Sequence, residues 1–149
     1  MQTFLPYSSY TKSAQCLDFR RLGKQRVEGY QILRTLCGLS NGWKNHPAVK
    51  MWAGYEQSLL DYTLAMIVEW KKRGYKDTIH EKLKTLPISE HTYRDPPWLG
   101  DKKLHQSHQS NLLRKNKEYY SKFFGTEITD NLPYYWPIEK GEEMKSKII

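Results

Sequence analysis

The stretch from Asp18 to Gly38 constrains the fold most. Its apolar residues Leu22, Val27, Tyr30, Ile32, Leu33, Leu36 and Cys37 recur at the three- and four-residue spacing of an amphipathic helix. Asp18 is a suitable N-cap and Gly38 a suitable terminator. Gly23 and Gly29 stand inside the pattern, where each weakens a helix by about 1 kcal/mol relative to Ala. A helix of this kind must bury its stripe against other elements, and the rest of the chain supplies them. Pro47 opens a second helical pattern after Asn45-His46, with Gly54 as an interruption. Leu59, Tyr62, Thr63, Met66, Ile67 and Trp70 then follow at helical spacing. Lys71, Lys72 and Arg73 complement that helix's C-terminal dipole, and Gly74 ends it.

The remaining segments fit around these two. Thr3-Phe4-Leu5-Pro6-Tyr7 reads as an extended arm packed on the domain, and Ser8, Ser9 and Ser13 offer caps for a turn through Cys16. Residues 75–100, with three prolines, form a long connection containing a short helix over 79–86. Asp101 caps a helix carrying Leu104, His105, His108, Leu112 and Leu113, and a last helix runs from Lys117 to Phe124. No repeat and no strong alternating strand pattern is present. The expected fold is all-α: a compact single-domain helical bundle with long irregular connections over residues 1–138, followed by a charged C-terminal tail over 139–149. Two cysteines are too few for a disulfide framework or a four-cysteine zinc site. No apolar run approaches the length of a membrane span and no leader is evident, so a soluble, cytoplasmic or nucleoid-associated protein is expected.

Charge narrows the function. The net charge is +8, and residues 1–60 hold eight Lys/Arg against three Asp/Glu, a local +5. The densest excess is Arg20, Arg21, Lys24 and Arg26, which favours a polyanionic partner such as nucleic acid. Helical spacing sets Arg21, Lys24 and Glu28 on one face, with Arg20 and Gln25 beside it. Such cations hold a carboxylate ionised for proton transfer, or grip phosphates; a plain salt-bridged helix with a Lys24–Glu28 pair is the alternative. His105 and His108 have metal-ligand spacing but no third ligand, so no metal and no cofactor is expected. The Ser, Gln and Asn residues around them, Asn111 included, suit phosphate contacts or a buried polar network. Trp43-Lys44, Trp70-Lys71 and Tyr93-Arg94 pair aromatics with cations, an arrangement that stacks on bases, although Trp52, Tyr62 and Trp70 are better explained by core packing.

Three blocks carry a family resemblance. They are Cys16-Leu17-Asp18-Phe19-Arg20-Arg21-Leu22-Gly23-Lys24-Gln25-Arg26-Val27-Glu28; Gly42-Trp43-Lys44-Asn45-His46-Pro47-Ala48-Val49-Lys50-Met51-Trp52 with Glu69-Trp70-Lys71-Lys72-Arg73-Gly74-Tyr75; and Pro97-Trp98-Leu99-Gly100 with residues 105–115. In these the chain resembles the pyrimidine-dimer DNA glycosylases of the endonuclease V family, more their bacterial and viral relatives than the characterised phage enzyme. The resemblance implies a small helical bundle and a glycosylase with abasic-site lyase activity. In that chemistry an N-terminal amine attacks the sugar's anomeric carbon to form an imine, assisted by a helix-borne glutamate.

By the same resemblance Met1 and Glu28 are the catalytic pair. Gln2 is too bulky for removal of Met1, so the Met1 amine is the expected nucleophile; the Thr3 nitrogen is an amide. The family's arginine before its glutamate falls on Val27, and Arg26 is expected to cover part of its phosphate-binding role. The DNA-binding set is then Arg20, Arg21, Lys24, Gln25, Arg26, His46, His105, His108, Asn111, Arg114 and Lys115, with damaged or modified double-stranded DNA as partner and a monomer as the working state. A non-catalytic nucleic-acid-binding protein on the same scaffold is the alternative.

Overall fold

The computed structural model describes residues 1–125 and 127–137; the charged tail over 139–149 lies outside the described residues. The chain forms α1 (Tyr10–Cys16), α2 (Phe19–Leu36), α3 (Pro47–Lys50), α4 (Glu56–Lys72), α5 (Ile79–Leu83), α6 (Lys102–Lys115) and α7 (Lys117–Phe124). No strand occurs among the described residues, so the all-α expectation holds. The caps are those the sequence offers: Ser9 accepts from the Lys12 N–H, Asp18 from Arg21 and Asp101 from Lys103. Gly54 interrupts the second pattern. A φ of +88° there turns the chain between α3 and α4, so one expected helix is two. The short helix expected over 79–86 is confined to α5.

Helices α2 and α4 form the central pair. Leu22, Ile32 and Leu33 from α2 meet Leu59, Tyr62, Met66 and Ile67 from α4 in a single core. The two glycines that weaken α2 locally are what lets it approach α4. A Cβ on Gly29 would stand 2.2 Å from Thr63 Oγ1, and one on Gly23 would stand 2.9 Å from the Trp70 ring. Trp52 is fully buried beneath α1 and packs edge-on against Trp98 at 4.8 Å between ring centroids. Cys16 and Cys37 are free thiols.

The arm before α1 is buried although it is not helical: Gln2 to Pro6 lie in the interior. Buried backbone polar groups need partners, and here side chains from three helices provide them. The N–H groups of Gln2, Phe4 and Leu5 donate to Glu28 Oε2 (3.3 Å), Gln25 Oε1 (2.8 Å) and His108 Nδ1 (2.8 Å). The Thr3 N–H donates to the Gln2 side chain at 2.9 Å. The Gln2 carbonyl accepts from Gln25 Nε2, the Phe4 carbonyl from the Tyr62 hydroxyl, and the Pro6 carbonyl from Gln109 Nε2. The arm is thereby threaded between α2, α4 and α6, which fixes where the first residue sits.

Candidate active site

The first residue opens into a cleft of about 430 Å³. Helix α2 forms one wall, with Arg20, Arg21, Lys24 and Glu28 along it, as the helical spacing requires. Lys115 reaches it from the end of α6, His46 from the cap of α3, and Tyr134 and Trp136 from the segment after α7.

Glu28 lies at the inner end. Its Oε2 accepts from the Gln2 N–H and from Gln25 Nε2 at 3.2 Å. Burial pushes its carboxyl above the usual carboxylate range, against the opposing pull of the Gln2 N–H, the Met1 amine, Lys24 and Gln25. The Lys24–Glu28 salt bridge of the plain-helix alternative is not among the described ion pairs, and neither is one from the Met1 amine. The amine acts on Glu28 through space, one residue from the bonded Gln2 N–H. It acts on His46 as well. The Thr3 nitrogen is a fully buried, bonded amide, so of these two residues it is Met1 that places an α-amine at the cleft.

The outer part of the cleft is cationic. Burial and then the neighbouring Arg21, Arg114 and Lys24 push the Lys115 ammonium below its ordinary value, while Glu28 opposes them. Arg21 is tied to Asp18 at 3.1 Å. Among the described residues no acidic side chain pairs with Arg20, Lys24 or Lys115. Like charges gathered without counter-charges cost energy unless a polyanion joins them, so this rim is electrostatically suited to phosphates.

Several residues expected at a DNA surface are placed elsewhere. Gln25 is 2% exposed, and both ends of its amide are used: Oε1 by Phe4 N–H and the Tyr62 hydroxyl, Nε2 by Gln2 and Glu28. It positions the arm and the carboxylate. Arg26 does not take over the role expected of it beside Val27. A step of two residues from Lys24 carries it to the opposite side of α2, where it bonds Asp77 and lies 4.4 Å over the Trp70 ring.

His105 and His108 are also interior. His105 Nε2 accepts from the Gly100 N–H (2.9 Å), leaving Nδ1–H to donate to the Leu5 carbonyl (2.8 Å). His108 accepts from Leu5 and is held neutral, its pKa pushed down to about 3 by burial and then by His105. Asn111 is buried and bonds the Ser107 and Leu132 carbonyls. The buried-network alternative therefore describes this face of α6, in place of phosphate contacts. Arg114 is exposed but bonds Asn111 and the Asp130 carbonyl, which anchors the segment leading to Tyr134 and Trp136. Sequence reasoning did not identify Tyr134 and Trp136 as cleft residues. The signal was the aromatic run beside Pro133, but nothing local said which wall it would cover.

No group of three or more His, Cys, Asp or Glu with metal-site geometry occurs among the described residues. No helix of the described residues is long and apolar enough to cross a membrane. No curated protein and no solved structure matches the chain. A family model described as pyrimidine dimer DNA glycosylase matches residues 1–83, the part that supplies the amine, Glu28, His46 and the α2 cations. With more than half of its length matched, and with that arm and helix forming the cleft, the chain belongs to the pyrimidine dimer DNA glycosylase family.

Proposed function

We propose that this chain excises damaged or modified pyrimidines from double-stranded DNA, as a monomer inside the cell, with the Met1 amine as nucleophile and Glu28 as its proton-transfer group. The observation that carries this is the bond from the Gln2 N–H to Glu28, which fixes the first residue and the carboxylate at one end of a cation-rimmed cleft. The unprotonated amine forms a bond to C1′ while the C1′–N bond breaks and its electron pair leaves with the base. The proton lost by the amine passes to Glu28, directly or through one water; the nitrogen lone pair then opens the sugar ring, the C1′–O4′ bond breaks, O4′ takes that proton back from Glu28, and an iminium remains. A raised carboxyl pKa suits this duty, because it makes Glu28 a better base than an exposed carboxylate. Abasic-site lyase activity follows when a C2′ proton is then removed and the C3′–O bond breaks, releasing a phosphate end. Arg20, Arg21, Lys24 and Lys115 hold backbone phosphates on either side of the extruded nucleotide.

Borohydride trapping tests the scheme. The protein should yield a covalent adduct on abasic and on ultraviolet-irradiated duplex. Glu28→Gln should suppress strand cleavage, and acetylation of the α-amine should abolish trapping while DNA binding survives. Folded, unacetylated protein that binds DNA yet gives no adduct on either substrate would identify a binding protein instead.

A further inference from the structure

His46 has no part in the scheme above, yet its backbone, its Nδ1 and two flanking aromatic rings hold it in place at the cleft. Trp43 makes the preceding turn with a left-handed φ of +62°, and its carbonyl accepts the His46 N–H at 2.8 Å. The imidazole then caps α3: Nδ1 accepts the Ala48 N–H at 3.0 Å. An accepting nitrogen carries no proton, so the neutral ring bears its hydrogen on Nε2. Trp43 and Trp136 hold the ring edge-to-face at centroid distances of 5.8 and 5.6 Å. Burial, and then the Met1 amine, disfavour the imidazolium form. Nε2–H has no partner among the described residues. Two other lining residues, Gln2 and Trp136, also carry buried N–H donors without partners. This part of the cleft is rich in neutral donors, and phosphates are already served by the cations.

We propose that His46 donates its Nε2–H hydrogen bond to the O2 oxygen of the departing pyrimidine. The inference rests on the Met1-amine scheme. When the amine attacks C1′, the electron pair of the C1′–N1 bond moves onto the pyrimidine and is shared between N1 and O2. O2 is the carbonyl nearest the breaking bond, so a donor beside the nucleophile meets it. The hydrogen bond strengthens as the anion forms, which is how a fixed donor lowers a barrier. No proton is transferred by His46; the expelled anion takes one from water. A purine leaves through N9, with no carbonyl on a neighbouring carbon, so the same donor favours pyrimidines.

The test separates base loss from imine formation. His46→Asn keeps an acceptor for the α3 cap but loses the Nε2–H. Single-turnover excision from ultraviolet-irradiated duplex should fall on the order of 100-fold. Trapping on abasic duplex, where no base leaves, should stay within about threefold of the parent protein. His46→Gln, which restores an amide N–H of longer reach, should recover part of the excision rate. If His46→Asn melts early, His46→Ser provides the second capping variant for the same two assays. Equal losses on both substrates would make His46 a positioning residue and overturn the proposal, as would unimpaired excision or a parent protein that traps abasic DNA but excises no pyrimidine. Failure of the parent to trap on abasic DNA would instead refute the amine scheme itself.

Discussion

Replacing Gly29 by Ala pits local helix preference against tertiary packing. In an exposed helix the change would stabilise by about 1 kcal/mol. Here the added methyl would stand 2.2 Å from Thr63 Oγ1 and 3.1 Å from Thr63 Cβ and Cγ2. Thr63 cannot simply rotate away, because it is fully buried and its hydroxyl donates to the Leu59 carbonyl at 2.8 Å. The helices must separate, and overpacking of this kind costs about 1–3 kcal/mol. The expected net change is a loss of about 0–2 kcal/mol, the difference between those terms. Thr63→Ala removes Oγ1 and Cγ2, so the closest remaining approach is the 3.1 Å to Cβ. Gly29→Ala should therefore be rescued by at least about 1 kcal/mol in the Thr63→Ala background, a coupling typical of touching residues. Urea unfolding of the four proteins at constant m-value measures it. A Gly29→Ala protein that gains about 1 kcal/mol in both backgrounds would show that the helices are not in close contact there.

Three other perturbations probe the site. Gln25→Ala leaves Phe4 N–H and the Gln2 carbonyl buried without partners, at about 1–3 kcal/mol for each group; amide exchange at Phe4 should accelerate and imine trapping should slow, with the salt dependence of DNA binding unchanged. Lys115→Ala should lower the slope of log affinity against log salt by about 0.9, whereas Arg26→Ala should leave it unaltered, because Arg26 is occupied with Asp77. The folded pKa of His108 lies below its ordinary value, so the unfolded state binds more protons below about pH 6.5 and stability declines from there towards about pH 3 by up to about 1.4 kcal/mol per pH unit. Glu28, whose pKa is raised, has the opposite sign and gains stability as pH falls through its folded pKa. His108→Asn should flatten the acid limb of the urea midpoint against pH, and Glu28→Gln should steepen it.

The parts legible in the sequence were those fixed by short-range chemistry. Helix α2 was bounded by Asp18 and Gly38 and tuned by a 3.6-residue period, and both signals are local. The same periodicity placed Arg21, Lys24 and Glu28 on one wall. The errors have a common origin in long-range polar satisfaction. Gln25, His105, His108 and Asn111 look like ligand contacts because polar side chains are usually exposed. They are buried because the arm, extended and apolar around Pro6, brings unpaired backbone groups into the core. The sequence contained both the arm and the polar face of α6, but joining them required knowing that residues 5 and 108 meet. Arg26 failed for a simpler reason. Four cations within seven positions cannot all face one cleft on a helix, and Asp77 claimed the one that pointed away.

The arm's attachment explains why structural and chemical roles are hard to separate in this chain. Gln25 bonds the Gln2 carbonyl, the Phe4 N–H, the Tyr62 hydroxyl and Glu28 with one amide. The carboxylate and the chain's first residue are therefore oriented by the same group, which itself is held from α4. Helix α6 secures the arm from the other side through His105, His108 and Gln109. Under the proposed scheme, a nucleophile on a free chain end would lose conformational entropy at each turnover; with the arm bonded every residue or so up to Gln2, the Met1 amine has lost most of it on folding. Glu28 shows the opposing term, since burial makes its ionised form less favourable than in water. Stability is lower for a carboxylate held in this position, and a glutamine there would relieve the strain while removing the proposed base. That trade is what the proposed role of Glu28 predicts, and it separates Glu28 from Glu69, which simply pairs with Arg73 one turn along α4.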